Sequence, residues 1–432
     1  MYRYMVYIVI LILSQQCIYG QNSTYEILAS ADERIQKNRR GVINITLEYS
    51  NGLQLDPGKT VWIEQQKHEF LFGCNIFKFN KCRTPEQNTD YANRFSELFN
   101  FATLPFYWWG ETENPNRTDK PWREEVIQWC KDNHIKMKGH TLAWNWKDPS
   151  WIPQDYDDAY NAQISRIQSI IQLYPEIEIW DVINEATTVD RPFPRKNAPI
   201  LTEAILQKSV DQYLRDGFRV AHRASIQNIY LINDYKTGRK FKQDVLESLV
   251  VDGNALFDAI GIQTHMHSGY WGAKILLSLC EKFASFNRPI HFSEISILSG
   301  RSKNGSWEIT SESEEKQAIQ VREMVTLLFS NPNVDAITWW DFSDQGAWKN
   351  APSGLLRADM TPKPAYHELK KLIKEEWWTS YSTQTNSMSE IDVHGFFGEY
   401  SVEVETDGQS FIGVFEIKKG HNEPIHVYLK PN

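Results

Sequence analysis

The chain has 432 residues, 46 Lys+Arg against 55 Asp+Glu, a net charge of −9 and 41% hydrophobic residues. That balance excludes nucleic acid and an anionic membrane as main partners, and the apolar content is enough for one large core with small additions. Short basic runs such as "KNRR" and "ELKKLIKEE" read as solvated faces.

At the N-terminus Arg3 precedes the apolar run "MVYIVILIL", and polar residues then lead to Gly20. The run is too short to span a bilayer and reads as a secretory leader over 1–20. No later window is long and apolar enough for a span, so the mature chain is expected to be exported: secreted, periplasmic or at a cell surface. Cys74, Cys82, Cys130 and Cys280 show no zinc-type spacing. Cys74 and Cys82 could close a short loop or stand as single buried thiols. Sequons occur at Asn22, Asn44, Asn116 and Asn304. Residues 21–69 hold two alternating β runs around "SNG" and "DPG" turns.

From 70 to 376 short β runs alternate with helical stretches. The runs are "EFLFGCNIF", "FNFATLPF", "IKMKGHTLAW", "IEIWDVINEA", "NIYLINDY", "DAIGIQTHM", "PIHFSEISI" and "VDAITWWDFSD". Between them, Tyr160, Ile164, Ile167 and Ile171 repeat at helical spacing, as do Ala318, Val321, Val325 and Leu328. Pro364 suits the first turn of a last helix. Eight β-then-α units predict an α/β fold, a (β/α)8 barrel. An open doubly wound sheet would normally carry a Gly-rich phosphate turn, and none is present. The polar stretch 377–389 reads as a linker, and 390–432 as a β-rich tail with a "TDG" hairpin turn. The two β-rich ends are expected to pair into one small β-sandwich packed on the barrel.

In such a barrel the C-terminal strand ends form the active face. Unusual polar and aromatic residues gather there: His140 and Trp144, Asn184 and Glu185, Asn233, Asp234 and Tyr235, Gln263, His265 and His267, Glu294, and Trp340 and Asp341. One such residue is ordinary strand-end structure; a ring of them is not needed for stability. Glu185 and Glu294 end the fourth and seventh runs, which face each other across a barrel mouth. Two facing carboxyls are what glycoside hydrolysis requires, one as acid and one as nucleophile or base. Trp108, Trp109, Trp144, Trp271, Trp340 and Trp348 offer flat faces for sugar rings. A metal site using His140, His265, His267 and the glutamates is the competing use. The Trp-rich mouth favours a sugar, so no metal and no cofactor are expected. A sugar-binding protein without catalysis would be expected to lack one glutamate, and both are present.

The same stretches resemble glycoside hydrolase family 10, best known for endo-1,4-β-xylanases. "GHTLAWNW" resembles the family's Gly-His-Thr-Leu-Val-Trp-His, and "WDVINEA" its acid/base motif. "GIQTHMH" matches Gly-Ile-Gln-x-His, and "HFSEISI" resembles the nucleophile motif. "TWWDFSDQGAW" and "GLLRADMTPKPAY" match the family's eighth strand and the segment after it. The resemblance runs in order over roughly 70–372. It implies retaining hydrolysis of a β-1,4-linked polysaccharide, with Glu185 as acid/base and Glu294 as nucleophile. It also implies that Asn184, His140, Trp144, Gln263, His265, Trp340 and Trp348 line the sugar nearest the cut. Asn145, Tyr235 and His267 are added as further binding candidates, and a monomer acting on a polysaccharide or oligosaccharide is expected.

The chain departs from the family in three places. "LPFYWWGETE" replaces the Glu-Asn-x-x-Lys-Trp that grips a sugar two places from the cut. Trp144 is followed by Asn145 rather than His. Ser296 stands where the family has an Asp that pairs with the strand-six His, and Asp341 stands where it has Gly. Asp341 is therefore expected as a substitute partner of His265. Tyr107, with Trp108 or Trp109, is expected to lie in the cleft and to favour decorated xylan or another β-linked polysaccharide, such as a β-glucan, over plain linear xylan.

Overall fold

The structure is a computed structural model that describes residues 26–110, 120–303, 305–421 and 423–432. The leader, the "ETE" end of the departing stretch and the sequons at Asn22, Asn116 and Asn304 lie outside the described residues.

Two strands precede the barrel, β1 (Arg40–Tyr49) and β2 (Thr60–His68). The barrel strands are β3 (Leu71–Asn75), β4 (Phe101–Pro105), β5 (Lys136–Ala143), β6 (Ile179–Asn184), β7 (Ile229–Asp234), β8 (Ala259–His265), β9 (Ile290–Ser296) and β10 (Val334–Trp339). They pair in parallel in chain order, and β10 closes on β3. The chain therefore forms the expected (β/α)8 barrel. Nearly every residue of β6 and β9 is buried, as fits parallel strands covered on both faces. The helices Tyr156–Leu173 and Ser311–Ser330 bury the stripes their spacing announces, and Pro364 opens the helix Pro364–Lys371.

Five strands come after the barrel: β11 (Ser380–Gln384), β12 (Glu390–Phe396), β13 (Gly398–Thr406), β14 (Gln409–Ile417) and β15 (Ile425–Pro431). The two ends interleave in one sheet of order β11-β2-β13-β14-β15-β1-β12. β1 and β2 do not pair with each other; each lies between C-terminal strands. The sheet folds over a shared core of Ile43, Ile45, Val61, Ile63, Val393, Val402, Phe415 and Leu429. Asp407 and Gly408, both at positive φ, make the expected hairpin turn between β13 and β14. The stretch 377–389 is not a linker. It contains β11, an edge strand that turns Tyr381 inward and leaves Ser380, Ser382 and Gln384 outside.

This sheet packs against the mouth at the strands' N-terminal ends. Arg39 donates to the carbonyls of Phe329, Asn331 and Val334, while Phe396 and His68 meet the ring of Phe329. The opposite mouth is left for the polar ring. The four described cysteines are free thiols. Among the described residues no helix is long and apolar enough to cross a membrane.

Candidate active site

Glu185 ends β6 with φ 57 and ψ 41, a left-handed conformation that non-glycine residues seldom adopt. Neighbouring strands hold the turn. Its N–H donates to the Asn233 carbonyl at 2.8 Å, and Thr187 donates from its backbone and hydroxyl to the Asp234 carboxylate at 3.0 and 2.8 Å. The backbone twist lifts the carboxyl into the mouth, where Gln263 Nε2 donates to Oε1 at 3.4 Å. Burial, then the charges of Glu294 and Asp234, push the Glu185 pKa up to about 8.

Glu294 lies deeper on β9 and is 5% exposed. Asn233 Nδ2 donates to its Oε1 at 2.8 Å and His265 Nε2 to its Oε2 at 2.9 Å. Burial alone would raise this carboxyl. The His265 hydrogen bond and the cationic surroundings of His140, His265 and Lys138 outweigh it, and the net shift is downward. The two glutamates thus differ in protonation at neutral pH, one kept as acid and the other as carboxylate.

Asn233 joins the two halves of the site. Its amide also donates to Asn184 Oδ1 at 2.9 Å, and its own Oδ1 accepts from Ser293 Oγ at 2.5 Å. Gln263 reaches the same Asn184 oxygen at 3.2 Å. A Cβ on Gly261 would sit 2.6 Å from Asn233 Oδ1, which explains the glycine of "GIQTH". The Asn184 Nδ2 is buried beside the Glu185 carboxyl, whose charged form it favours.

Rings enclose Glu294. His140 is fixed by Asp181 at 2.8 Å, and Lys138 meets the same carboxylate oxygen at 2.9 Å. The His140 ring meets those of Tyr107 and Trp340 at 5.6 and 5.5 Å. Trp348 lies against His265 at 4.5 Å and His267 at 4.9 Å. Burial and the neighbouring His265 lower the His267 pKa to about 4, so it faces Trp348 as a neutral ring. Tyr107 stacks on Trp109 at 4.7 Å and 13°, and Trp109 continues to Trp144 at 5.6 Å. Tyr235 stands apart, on the side of Glu185.

The structure therefore brings together Glu185, Glu294, Asn184, Gln263, His265, His140, Tyr107, Trp340 and Trp348, with Trp109, Trp144, Tyr235 and His267 around them. Three expected residues are placed otherwise. Trp108 is 6% exposed and packs edge-on against Trp151, while Trp109, a third of a turn further round the short 3-10 turn, lies on Tyr107. Asn145 is buried and donates to the Val189 carbonyl and Thr202 Oγ1, so it braces a loop and does not face the cleft. Asp341 is not hydrogen-bonded to His265. Its oxygens accept from Asn75 Nδ2 at 2.9 Å and the Trp348 N–H at 2.5 Å. His265 Nδ1 is met instead by Ser296 Oγ at 2.9 Å, and Ser296 passes its proton to the Trp340 carbonyl at 2.6 Å. Ser296 fills the vacated role as a neutral relay. Asn233, noted only within the strand-end ring, and Asp181 were not assigned a role by sequence reasoning. Asn-Asp at the end of the fifth run was the available signal.

Both nitrogens of His265 are thus engaged. No group of three His, Cys, Asp or Glu among the described residues is placed to hold a metal ion. Residues 108–372 match the model for Glycosyl hydrolase family 10. The chain belongs to this family. It is 24% identical over 405 residues to "Endo-1,4-beta-xylanase 2" of Arabidopsis thaliana, covering 89% of this chain and 34% of that protein. It is 23% identical over 303 residues to "Endo-1,4-beta-xylanase Y" of Acetivibrio thermocellus, covering 62% and 28%. The chain thus spans about a third of the length of these curated relatives. A family 10 structure from Paenibacillus barcinonensis superposes with a TM-score of 0.58 at 21% identity, covering 71% of this chain and 96% of that one, which shows the shared fold.

Proposed function

We propose that the family 10 chain is a retaining endo-β-glycanase acting on β-1,4-linked xylan or a closely related polysaccharide. Glu185 donates the proton to the leaving oxygen, and Glu294 attacks the anomeric carbon. Glu185 then takes a proton from the water that releases the sugar. The observation that carries this reading is the opposed state of two carboxyls held in one network by Asn184, Asn233 and Gln263. The names of the relatives support β-1,4-xylan as the backbone. The Tyr107–Trp109 stack supports a decorated chain over a plain one, since flat rings read a sugar face rather than a hydroxyl pattern.

Proton NMR of the first product from xylo-oligosaccharides tests the mechanism. The newly formed reducing end is expected as the β-anomer, with the two carboxyls ~5–5.5 Å apart in a crystal structure. Initial release of the α-anomer, or a gap near ~9 Å, would sink the retaining assignment.

A further inference from the structure

The rings around Glu294 come from the ends of β4, β5 and β10, so the sugar that receives the nucleophile sits among Tyr107, His140 and Trp340. The leaving sugar must lie beyond Glu185, on the side of β6 and β7. Three side chains meet there. Tyr235 is half-buried just after β7, on the Glu185 side of the mouth. Arg191, exposed in the segment after the Glu185 turn, donates from Nη1 to the Tyr235 hydroxyl at 3.5 Å. Lys236 holds Nζ 5.1 Å from the centre of the Tyr235 ring.

Neither cation has a carboxylate partner among the described residues. The nearby Asp190 is taken by Arg195, and Asp234 is committed to Thr187 and the Lys236 backbone. Glu185 is kept protonated, so it does not neutralise the pair. Two unmatched cations beside an aromatic ring, on a chain of net charge −9, form a local reversal of sign. A negatively charged polysaccharide would be repelled by most of this surface and attracted at this point. The guanidinium fork has donors left over from Tyr235 and fits a carboxylate in two-point contact, while the ammonium adds charge without fixed geometry. The Tyr235 face can carry the backbone sugar from which the carboxylate hangs.

We propose that Arg191, Lys236 and Tyr235 form a leaving-side subsite for a uronic acid, so that the preferred substrate is a β-1,4-linked chain bearing carboxylated side sugars. This deepens the proposed glycanase reading and rests on it.

The test compares xylo-oligosaccharides carrying one uronic acid on the leaving side of the cut with the same molecules after reduction of the carboxyl to an alcohol. At low ionic strength the acidic form should be turned over with about tenfold higher kcat/KM, a gap that narrows with added salt. In the double variant Arg191→Gln, Lys236→Gln the ratio should fall to about one, and Arg191→Lys should keep part of it. Equal kcat/KM for both forms in the wild type would overturn the carboxylate subsite and leave the glycanase reading intact. Loss of cleavage of both forms would overturn the glycanase reading itself. In that case the same acidic-to-neutral ratio, read as binding affinity to the Glu294→Gln variant, decides the subsite independently.

Discussion

Glu185 and Glu294 are the same side chain in two environments, and the pH dependence of turnover comes from the difference. In the proposed mechanism turnover needs Glu185 protonated and Glu294 ionised. The rate kcat/KM should therefore fall as pH rises through about 8, where Glu185 loses its proton. It should fall again only in acid, below the ordinary carboxylate range, where Glu294 gains one. Glu185→Gln should slow substrates with poor leaving groups by ~100-fold or more and remove the alkaline limb. The same shift bears on stability. The folded pKa of Glu185 lies above the unfolded value of about 4.3, so the fold resists its ionisation and loses stability as pH rises from ~4 to ~8. Glu185→Gln removes that cost. Its melting temperature should exceed that of the wild type by ~5 °C at pH 8.5 and by much less at pH 4.5. Equal shifts at both pH values would show that the raised pKa is not what the fold works against. The left-handed backbone at Glu185 was not legible in "IWDVINEATT", because the strain is imposed by Asn233 and Asp234 on the next strand.

At the level of elements, the loop after β4 shows where sequence reading reaches its limit. The run "LPFYWW" announces an aromatic wall but not which ring faces which way. The short turn sends Trp108 into the core above Trp151 and Trp109 out onto Tyr107. Trp108→Ala should cost about 3 kcal/mol of stability through the cavity it leaves, without changing the ratio of activities on decorated and plain xylo-oligosaccharides. Trp109→Ala should do the reverse, with little loss of melting temperature and a changed ratio. Denaturant unfolding and kcat/KM for the two variants decide it. A changed substrate ratio in a stably folded Trp108→Ala protein would refute the assignment. The third and eighth runs pose the same problem. Asn145 and Asp341 are polar residues at strand ends, as the ring of candidates is, but Thr202, which holds Asn145, and Asn75, which holds Asp341, lie on other elements remote in sequence. By contrast the strand-end glutamates, His140 and Gln263 were legible, because a parallel barrel allows only one side of a strand end to face the mouth.

Across the whole molecule, the eight-unit alternation was readable because each unit carries its own period. The pairing of the ends was readable only as a need to bury apolar faces. The interleaving itself was hidden, since β11 is an edge strand whose polar outer face resembles a linker. Its consequence is unusual for terminal segments. Deleting 377–432 removes every partner of β1 and β2 and exposes Ile43, Ile45, Leu47, Val61 and Ile63 with both edges of each strand open. At roughly 1.5–3 kcal/mol for each apolar side chain, that loss is comparable to the stability of a whole domain. Deleting both ends, to leave 70–376, removes those faces as well. It sacrifices instead the contacts of Arg39 with the carbonyls of Phe329, Asn331 and Val334 and the packing of Phe396 on Phe329. The shorter fragment should therefore be the more soluble one. Fragment 26–376 should aggregate on expression, while 70–376 should fold with a lowered melting temperature and retain measurable hydrolysis. The chain 26–432 should unfold in a single calorimetric transition, because neither end has a core without the other. Two separate transitions, or a soluble 26–376 fragment as stable as 26–432, would show that the sheet and barrel are independent units.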